Sequence, residues 1–132
     1  MSATATSRPA SSILVIEDEP SVSAFVTAAL QRKGYQVVQA NSGAEGLKLL
    51  ESRGFSGVIS DVRMPGTING ADVHAWIQKN RPELAGRIIL ISGDTANSET
   101  QSLMTSSPTP YLEKPFRVLK LISLVEKTFG RP

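Results

Sequence analysis

The sequence predicts an α/β domain whose core is a doubly wound sheet of five parallel strands. Three observations lead to this fold class. Short apolar runs rich in β-branched residues alternate with segments whose apolar residues have helical spacing, which favours helices on both faces of a sheet. Several runs are apolar throughout, as is typical of parallel strands covered on both faces. Each run also ends abruptly in polar residues, and these would meet at one edge of the sheet.

The first half of the chain has the pattern strand, helix, strand, helix, strand. Pro20 suits the first turn of a helix, Gly34 suits its end, and the capping-box sequence at 42–45 begins a second helix. The predicted strands cover residues 13–16, 35–40 and 58–60, and Asp61 directly follows the third.

The second half continues the alternation after a loop over residues 63–70, where proline, glycine and an Asn-Gly pair disfavour regular structure. A helix over about 71–80 and a buried strand over 87–92 follow. A weak helix is expected around residues 99–104, and two prolines after it stop it. A minimal strand at 111–112 and a fifth helix, with an apolar stripe from Val118 to Phe129, complete the predicted domain.

Composition excludes several classes of protein. With 132 residues the chain has room for one domain, and we expect a flexible tail over residues 1–11 and one folded domain over residues 12–130. The absence of cysteine excludes disulfides, thiol catalysis and zinc–thiolate sites. No apolar run approaches the ~18 residues that span a bilayer, and no secretory signal is visible, so we expect a cytoplasmic protein without a membrane partner. The formal charge of +2 comes from scattered basic residues, so we expect no nucleic-acid partner.

The polar residues that end the strands form the candidate site. They are Glu17 and Asp18 after the first strand, Asp61 after the third, Ser92 at the end of the fourth and Lys114 after the fifth. In a doubly wound sheet the functional crevice lies beyond the carboxyl ends of the strands. Three carboxylates there repel each other unless a cation joins them, and Mg²⁺ prefers one or two carboxylates together with waters and phosphate oxygens. An ammonium and a hydroxyl beside an open carboxylate favour phosphoryl transfer.

Four segments carry a family resemblance: Ile13 to Pro20, Ser60 to Gly66, Ser92 to Asp94 and Tyr111 to Phe116. Together they resemble the receiver domain of two-component response regulators, over roughly residues 12 to 129. The resemblance implies a flavodoxin-like (βα)5 fold. It also implies a phosphorylation-controlled signalling module that catalyses only its own phosphorylation and dephosphorylation.

The resemblance implies a role for each residue of the acidic pocket. Asp61 matches the phosphoacceptor, which takes a phosphoryl group from a phosphohistidine of a sensor histidine kinase or a histidine phosphotransfer protein. Asp18, Asp61 and the backbone carbonyl of Arg63 would hold Mg²⁺, and Glu17 would act directly or through water. Glu17 stands where many receivers have aspartate, and the loop over residues 64–70 is about one residue longer than usual.

The resemblance also implies how phosphorylation is transmitted. Lys114 matches the lysine that pairs with the phosphoryl group, Ser92 the switch hydroxyl, and Tyr111 the aromatic residue that moves with it. The Lys114-Pro115 bond is often cis in this family, and Arg63 and Asp94 match positions that tune the phosphoryl lifetime. An unknown output partner is expected on the surface from the fourth predicted helix to the fifth.

Two other function classes and one question of architecture stay open. A magnesium phosphohydrolase could use Asp61 as a covalent nucleophile, but Arg63 stands where such enzymes usually have a second acid. A flavodoxin-like cofactor binder would need a phosphate-binding loop after the first strand, and none is visible. The domain could be a stand-alone regulator or part of a hybrid histidine kinase.

His74 is interpreted as an ordinary helix residue, and Trp76 as a packing residue.

Overall fold

A computed structural model describes residues 12–63, 66, 68–93 and 109–132. Five strands lie in these ranges: β1 (Ser12–Ile16), β2 (Gln36–Ala40), β3 (Gly57–Asp61), β4 (Ile88–Ser92) and β5 (Tyr111–Glu113). The α-helices in the same ranges are α1 (Pro20–Arg32), α2 (Gly43–Ser52), α3 (Gly70–Asn80) and α4 (Val118–Phe129), and a short 3₁₀ helix covers Pro82–Leu84. The predicted tail over residues 1–11, the predicted helix around 99–104 and Asp94 lie outside the described residues.

The five strands form one sheet in the order β2-β1-β3-β4-β5, and every neighbouring pair is parallel. This confirms the predicted fold class. The strand order reverses between β1 and β3. From β1 the chain first adds β2 on one side of the sheet and then adds β3, β4 and β5 on the other side. Such a switch point opens a crevice beyond the carboxyl ends of the strands. The residues that follow β1 and β3 therefore lie next to each other in this crevice.

Side chains of β1 alternate between two hydrophobic cores, one on each face of the sheet. Ile13 and Val15 pack with α1 and α4, through residues such as Leu30 and Val125. Leu14 and Ile16 pack on the other face with α2 and α3, through residues that include Leu50, Val73 and Ile77. β1, β3 and β4 have five residues each, and all of these residues are buried. Strands covered on both faces account for the continuous apolar runs in the sequence.

The start of α3 lies at Gly70, one residue before the start predicted at about residue 71. Asn69 Oδ1 accepts a hydrogen bond from the Asp72 N–H at 2.9 Å, and Asp72 Oδ2 accepts one from the Asn69 N–H at 3.0 Å. This reciprocal pair is a capping box, so the helix begins at Gly70. A Cβ atom on Gly70 would lie 2.3 Å from the carbonyl oxygen of Asp61, so only glycine allows this close approach.

Among the described residues, no helix is both long enough and apolar enough to cross a membrane. Trp76 is half-buried against the core on the α2 and α3 face, as predicted for a packing residue.

Candidate functional site

Glu17 and Asp61 form the buried floor of a pocket at the carboxyl edge of the sheet. Glu17 directly follows β1, and its N–H donates to the carbonyl of Ala40 at 3.0 Å. Asp61 is the last residue of β3, beside Ile91 of β4. Glu17 is 1% exposed and Asp61 is 4% exposed. Buried carboxylates are uncommon unless they are paired, so these two need a cationic partner.

Lys114 is that partner within the described part of the chain. Its Nζ donates to Asp61 Oδ2 at 2.8 Å and to Glu19 Oε1 at 2.8 Å. The same Nζ lies 3.3 Å from Glu17 Oε1 and 3.4 Å from Glu17 Oε2. One ammonium therefore faces the three carboxylates of Glu17, Glu19 and Asp61.

The backbone around Lys114 is held by β4. The Lys114 N–H donates to the carbonyl of Ser92 at 2.8 Å, directly after the pairing of Ser92 with Glu113. The Lys114-Pro115 bond is cis, in agreement with the expectation from the family resemblance.

The environment raises the pKa of Glu17 to about 7 from an ordinary value of 4.5. Burial is the largest cause, and the negative charge of Asp61 adds to it, whereas the N–H of Glu19 and the charge of Lys114 act in the opposite direction. Glu17 Oε2 accepts from the Glu19 N–H at 3.1 Å, but Glu17 Oε1 accepts no hydrogen bond from any residue in the described ranges. The floor of the pocket thus carries more negative charge than Lys114 compensates.

Lys114 remains charged in this pocket. Burial by itself would lower the pKa of Lys114, but hydrogen bonds to Asp61 and Glu19, together with the charges of Asp61 and Glu17, raise it above its usual value. A permanent ammonium beside Asp61 is able to stabilise negative charge that develops on an attached group.

Carboxylate oxygens of Glu17, Glu19 and Asp61 all lie within 4.8 Å of one another. Ligands on opposite sides of Mg²⁺ are about 4 Å apart, so a small adjustment would bring this group into coordination range. Oxygen ligands, and a Glu17 Oε1 that has an ion pair but no hydrogen bond within the described residues, fit a hard divalent cation. Asp18 is half-buried and does not belong to the group.

Glu19 is the site residue that sequence reasoning did not assign. It is the third acid of the run Glu17-Asp18-Glu19 and stands directly before Pro20. Acids at this place usually compensate the dipole of the following helix, and the contact with Lys114 spans 95 sequence positions. The only sequence signal was its place beside two assigned acids.

A cavity of about 200 Å³ opens above Asp61 and is lined by Glu19, Asp61, Arg63, Gly93 and Lys114. Asp61 Oδ1 accepts from the Arg63 N–H at 3.1 Å, which fixes the orientation of the carboxylate. A water takes up roughly 30 Å³ in the liquid, so the cavity has room for several small ligands. Asp61 is therefore a buried carboxylate with an open approach.

The two predicted switch residues lie on neighbouring strands. Ser92 is 1% exposed at the end of β4, whereas Tyr111 is 38% exposed at the start of β5. Tyr111 pairs in register with Leu90, two positions before Ser92. Their roles as a switch stay predictions.

His74 is a buried residue of α3, away from the pocket. Its Nε2 lies 2.9 Å from Thr109 Oγ1, and burial lowers its pKa. These contacts agree with the interpretation of His74 as an ordinary helix residue.

Comparison with known proteins decides the family. A family model described as the response regulator receiver domain matches residues 13–126. The chain belongs to this family. It is therefore a receiver domain of two-component signalling, the phosphoacceptor module that the resemblance implied.

The chain is similar to short parts of much longer proteins. It is 34% identical over 104 residues to the CAI-1 autoinducer sensor kinase/phosphatase CqsS of Vibrio cholerae, and this match covers 78% of the chain and 15% of that protein. It is 32% identical over 117 residues to the sensor kinase CckA of Brucella abortus, with 87% and 12% covered. The receiver thus spans less than a sixth of these relatives, and both a stand-alone regulator and a hybrid kinase fit.

Solved structures agree with the fold. The response regulator TrrA of Thermotoga maritima, in complex with Mg²⁺ and BeF, has a TM-score of 0.76 and 34% identity, covering 89% of this chain and 97% of that one. The chemotaxis protein CheY4 of Vibrio cholerae has a TM-score of 0.77 and 26% identity, with 89% and 98% covered.

Proposed function

We propose that the receiver takes its phosphoryl group onto Asp61, from a phosphohistidine of a sensor histidine kinase or a histidine phosphotransfer protein. The observation that carries this proposal is the 2.8 Å contact between Asp61 Oδ2 and Lys114 Nζ at the base of an open cavity. In the transfer, an Asp61 oxygen forms a bond to phosphorus while the bond from phosphorus to the imidazole nitrogen breaks. The electrons of the broken bond stay on that nitrogen, and the ring leaves as neutral imidazole because its other nitrogen carries a proton.

This chain's residues prepare Asp61 for that reaction. The Arg63 N–H donates to Oδ1 and so orients the carboxylate toward the cavity. An attacking oxygen that is already held in line with the bond that breaks lowers the entropy cost of the reaction. Lys114 Nζ is close enough to shift from Asp61 to the arriving phosphoryl oxygens, whose charge it stabilises.

The residues that would hold Mg²⁺ are Asp18, Asp61 and the backbone carbonyl of Arg63, with Glu17 acting directly or through water. When bound, the ion neutralises negative charge on Asp61 and on the phosphoryl oxygens. The raised pKa of Glu17 and the absence of a hydrogen bond to its Oε1 within the described residues support a cation in this pocket. Glu19 lies in the same group of carboxylates and is not required by this ligand set.

The aspartyl phosphate carries about −1.5 to −2 charges, against −1 on the free carboxylate, and it places them on three oxygens further into the cavity. Lys114 is tied to β4 through the Ser92 carbonyl, so a shift of Lys114 toward the phosphoryl group also acts on the end of β4. We propose that the Ser92 hydroxyl and then Tyr111 follow this charge. The surface from the fourth predicted helix, which lies outside the described residues, to the fifth would then bind an output protein.

The receiver would catalyse only its own phosphorylation and hydrolysis, without turnover of external substrates. Intact mass after incubation with acetyl phosphate and Mg²⁺ tests the proposal. We expect one phosphoryl group per chain, located on Asp61 by peptide mapping. Label on another residue, or none under saturating Mg²⁺, would overturn it.

A further inference from the structure

The Lys114 ammonium contacts one buried carboxylate and one exposed carboxylate. Both Asp61 Oδ2 and Glu19 Oε1 lie 2.8 Å from Nζ. The Asp61 side chain is 5% exposed, whereas that of Glu19 is 57% exposed. Asp61 is thus the floor of the cavity and Glu19 stands at its mouth.

The place of Glu19 is fixed by its backbone. It is the residue before the first turn of α1, with extended backbone angles, and Pro20 follows it. Its N–H donates to the buried Glu17 Oε2 at 3.1 Å. Glu19 also lines the cavity that leads to Asp61. Any phosphodonor that reaches Asp61 therefore passes close to a carboxylate that is anchored there.

We propose that Glu19 is a specificity-determining residue that disfavours small, highly anionic phosphodonors. This role rests on the proposed function of Asp61. The Glu19 carboxylate lowers the local concentration of anions at the mouth and competes with them for Lys114. A protein donor offsets this repulsion through contacts elsewhere on its surface, whereas a small molecule has no such contacts.

The test compares two small donors of different charge. Acetyl phosphate is a dianion near neutral pH, and phosphoramidate carries less net negative charge. In both reactions an Asp61 oxygen bonds to phosphorus, and acetate or ammonia leaves with the electrons of the broken bond. Labelling is measured by intact mass at saturating Mg²⁺, because a change in metal affinity would otherwise enter the rate.

With acetyl phosphate, Glu19→Gln is expected to label about two- to fivefold faster at low donor concentration, the scale of an exposed charge pair. The gain should come from a lower donor concentration for half-maximal rate, and it should shrink as salt screens the charge. With phosphoramidate the gain should be smaller. Glu19→Asp, which keeps the charge, should gain less than Glu19→Gln. Glu51→Gln, a matched charge removal at an exposed site on α2, should stay near the wild-type rate.

The outcomes separate this role from the proposed function. The role of Glu19 alone would be overturned if Asp61 takes up label but Glu19→Gln labels no faster than wild type. The same holds if Glu19→Gln raises the labelling rate equally for both donors at every salt concentration. Wild-type protein that takes no label on Asp61 from either donor would overturn the proposed function, and with it this role.

Discussion

The Lys114 ammonium donates a hydrogen bond to Asp61 Oδ2 at 2.8 Å, although the two residues are 53 positions apart in the sequence. Asp61 ends β3 and Lys114 follows β5, and β4 lies between these strands. The contact therefore depends on the parallel order of three strands, which brings their carboxyl ends to one edge. A long lysine side chain can then reach across the end of β4.

Removal of this ammonium should separate phosphorylation from the conformational response. We expect Lys114→Ala to accept label from acetyl phosphate, because Asp61 and the acidic residues remain. Beryllofluoride with Mg²⁺ should shift amide signals around Ser92 and over residues 95–116 in the wild type, and these shifts should be much weaker in the variant. Equal shifts in both proteins would show that Lys114 does not transmit the signal. Lys48→Ala, on α2, provides the control for loss of a lysine.

The pKa of Glu17, raised to about 7, predicts a pH dependence of stability without Mg²⁺. An acid whose pKa is raised by folding binds its proton more tightly in the folded state. Its stabilising effect is full below the ordinary value of 4.5 and is lost as the pH rises to about 7. Relative to wild type, Glu17→Gln should therefore gain about 1–3 kcal/mol in unfolding free energy between about pH 5 and about pH 8.

Urea unfolding at both pH values, in the presence of a chelator, measures this difference. The exposed Glu51→Gln variant should differ from wild type by the same small amount at both. An offset for Glu17→Gln that does not change with pH would contradict the raised pKa.

The Mg²⁺ affinities of two variants distinguish between a ligand set that contains Asp18 and one that contains Glu19. If Asp18 is a ligand, Asp18→Asn should weaken Mg²⁺ affinity at least about tenfold, as loss of a supporting group alone often does. Glu19→Gln should weaken it less than about threefold, the effect of an exposed charge. Titration calorimetry gives both values. The opposite order would assign the ion to the group of Glu17, Glu19 and Asp61 that the structure brings together.

Gly70 predicts a packing constraint at the back of the pocket. A Cβ atom there would lie 2.3 Å from the Asp61 carbonyl oxygen and 2.6 Å from Val62 Cα, and both are backbone atoms that cannot turn aside. Gly70→Ala should lower the unfolding free energy by about 1–3 kcal/mol. Gly86→Ala is the matched control, because nothing lies within 4 Å of its Cβ. Equal stability of the two variants in urea would contradict this packing.

The fold was predictable because parallel strands buried on both faces leave a plain signal. The run Ile13 to Ile16 is apolar throughout, and all of β1 is buried. The same logic placed Glu17, Asp61 and Lys114 together, since polar residues that end such strands must share an edge. The Asn69-Gly70 pair was assigned to the loop, and the helix that follows begins at Gly70, one residue before the predicted start at about residue 71.

The position of Glu19 could not be predicted from local pattern. An acid before a helix that begins with proline has an ordinary role at the helix terminus, and its ion pair with Lys114 exists only in the folded chain. The switch roles of Ser92 and Tyr111 and the output surface depend on a change between two states. The structure places Ser92 at the end of β4 and Tyr111 at the start of β5, and their switch roles remain predictions.

Phosphoryl transfer to Asp61 is tested most directly by intact mass after incubation of wild type and Asp61→Asn with acetyl phosphate and Mg²⁺. Asparagine keeps the size of the side chain but is a poor nucleophile for phosphorus. The wild type should gain one phosphoryl group per chain, and the variant should gain none. A variant that takes up label to the same stoichiometry as the wild type would contradict the assignment of Asp61.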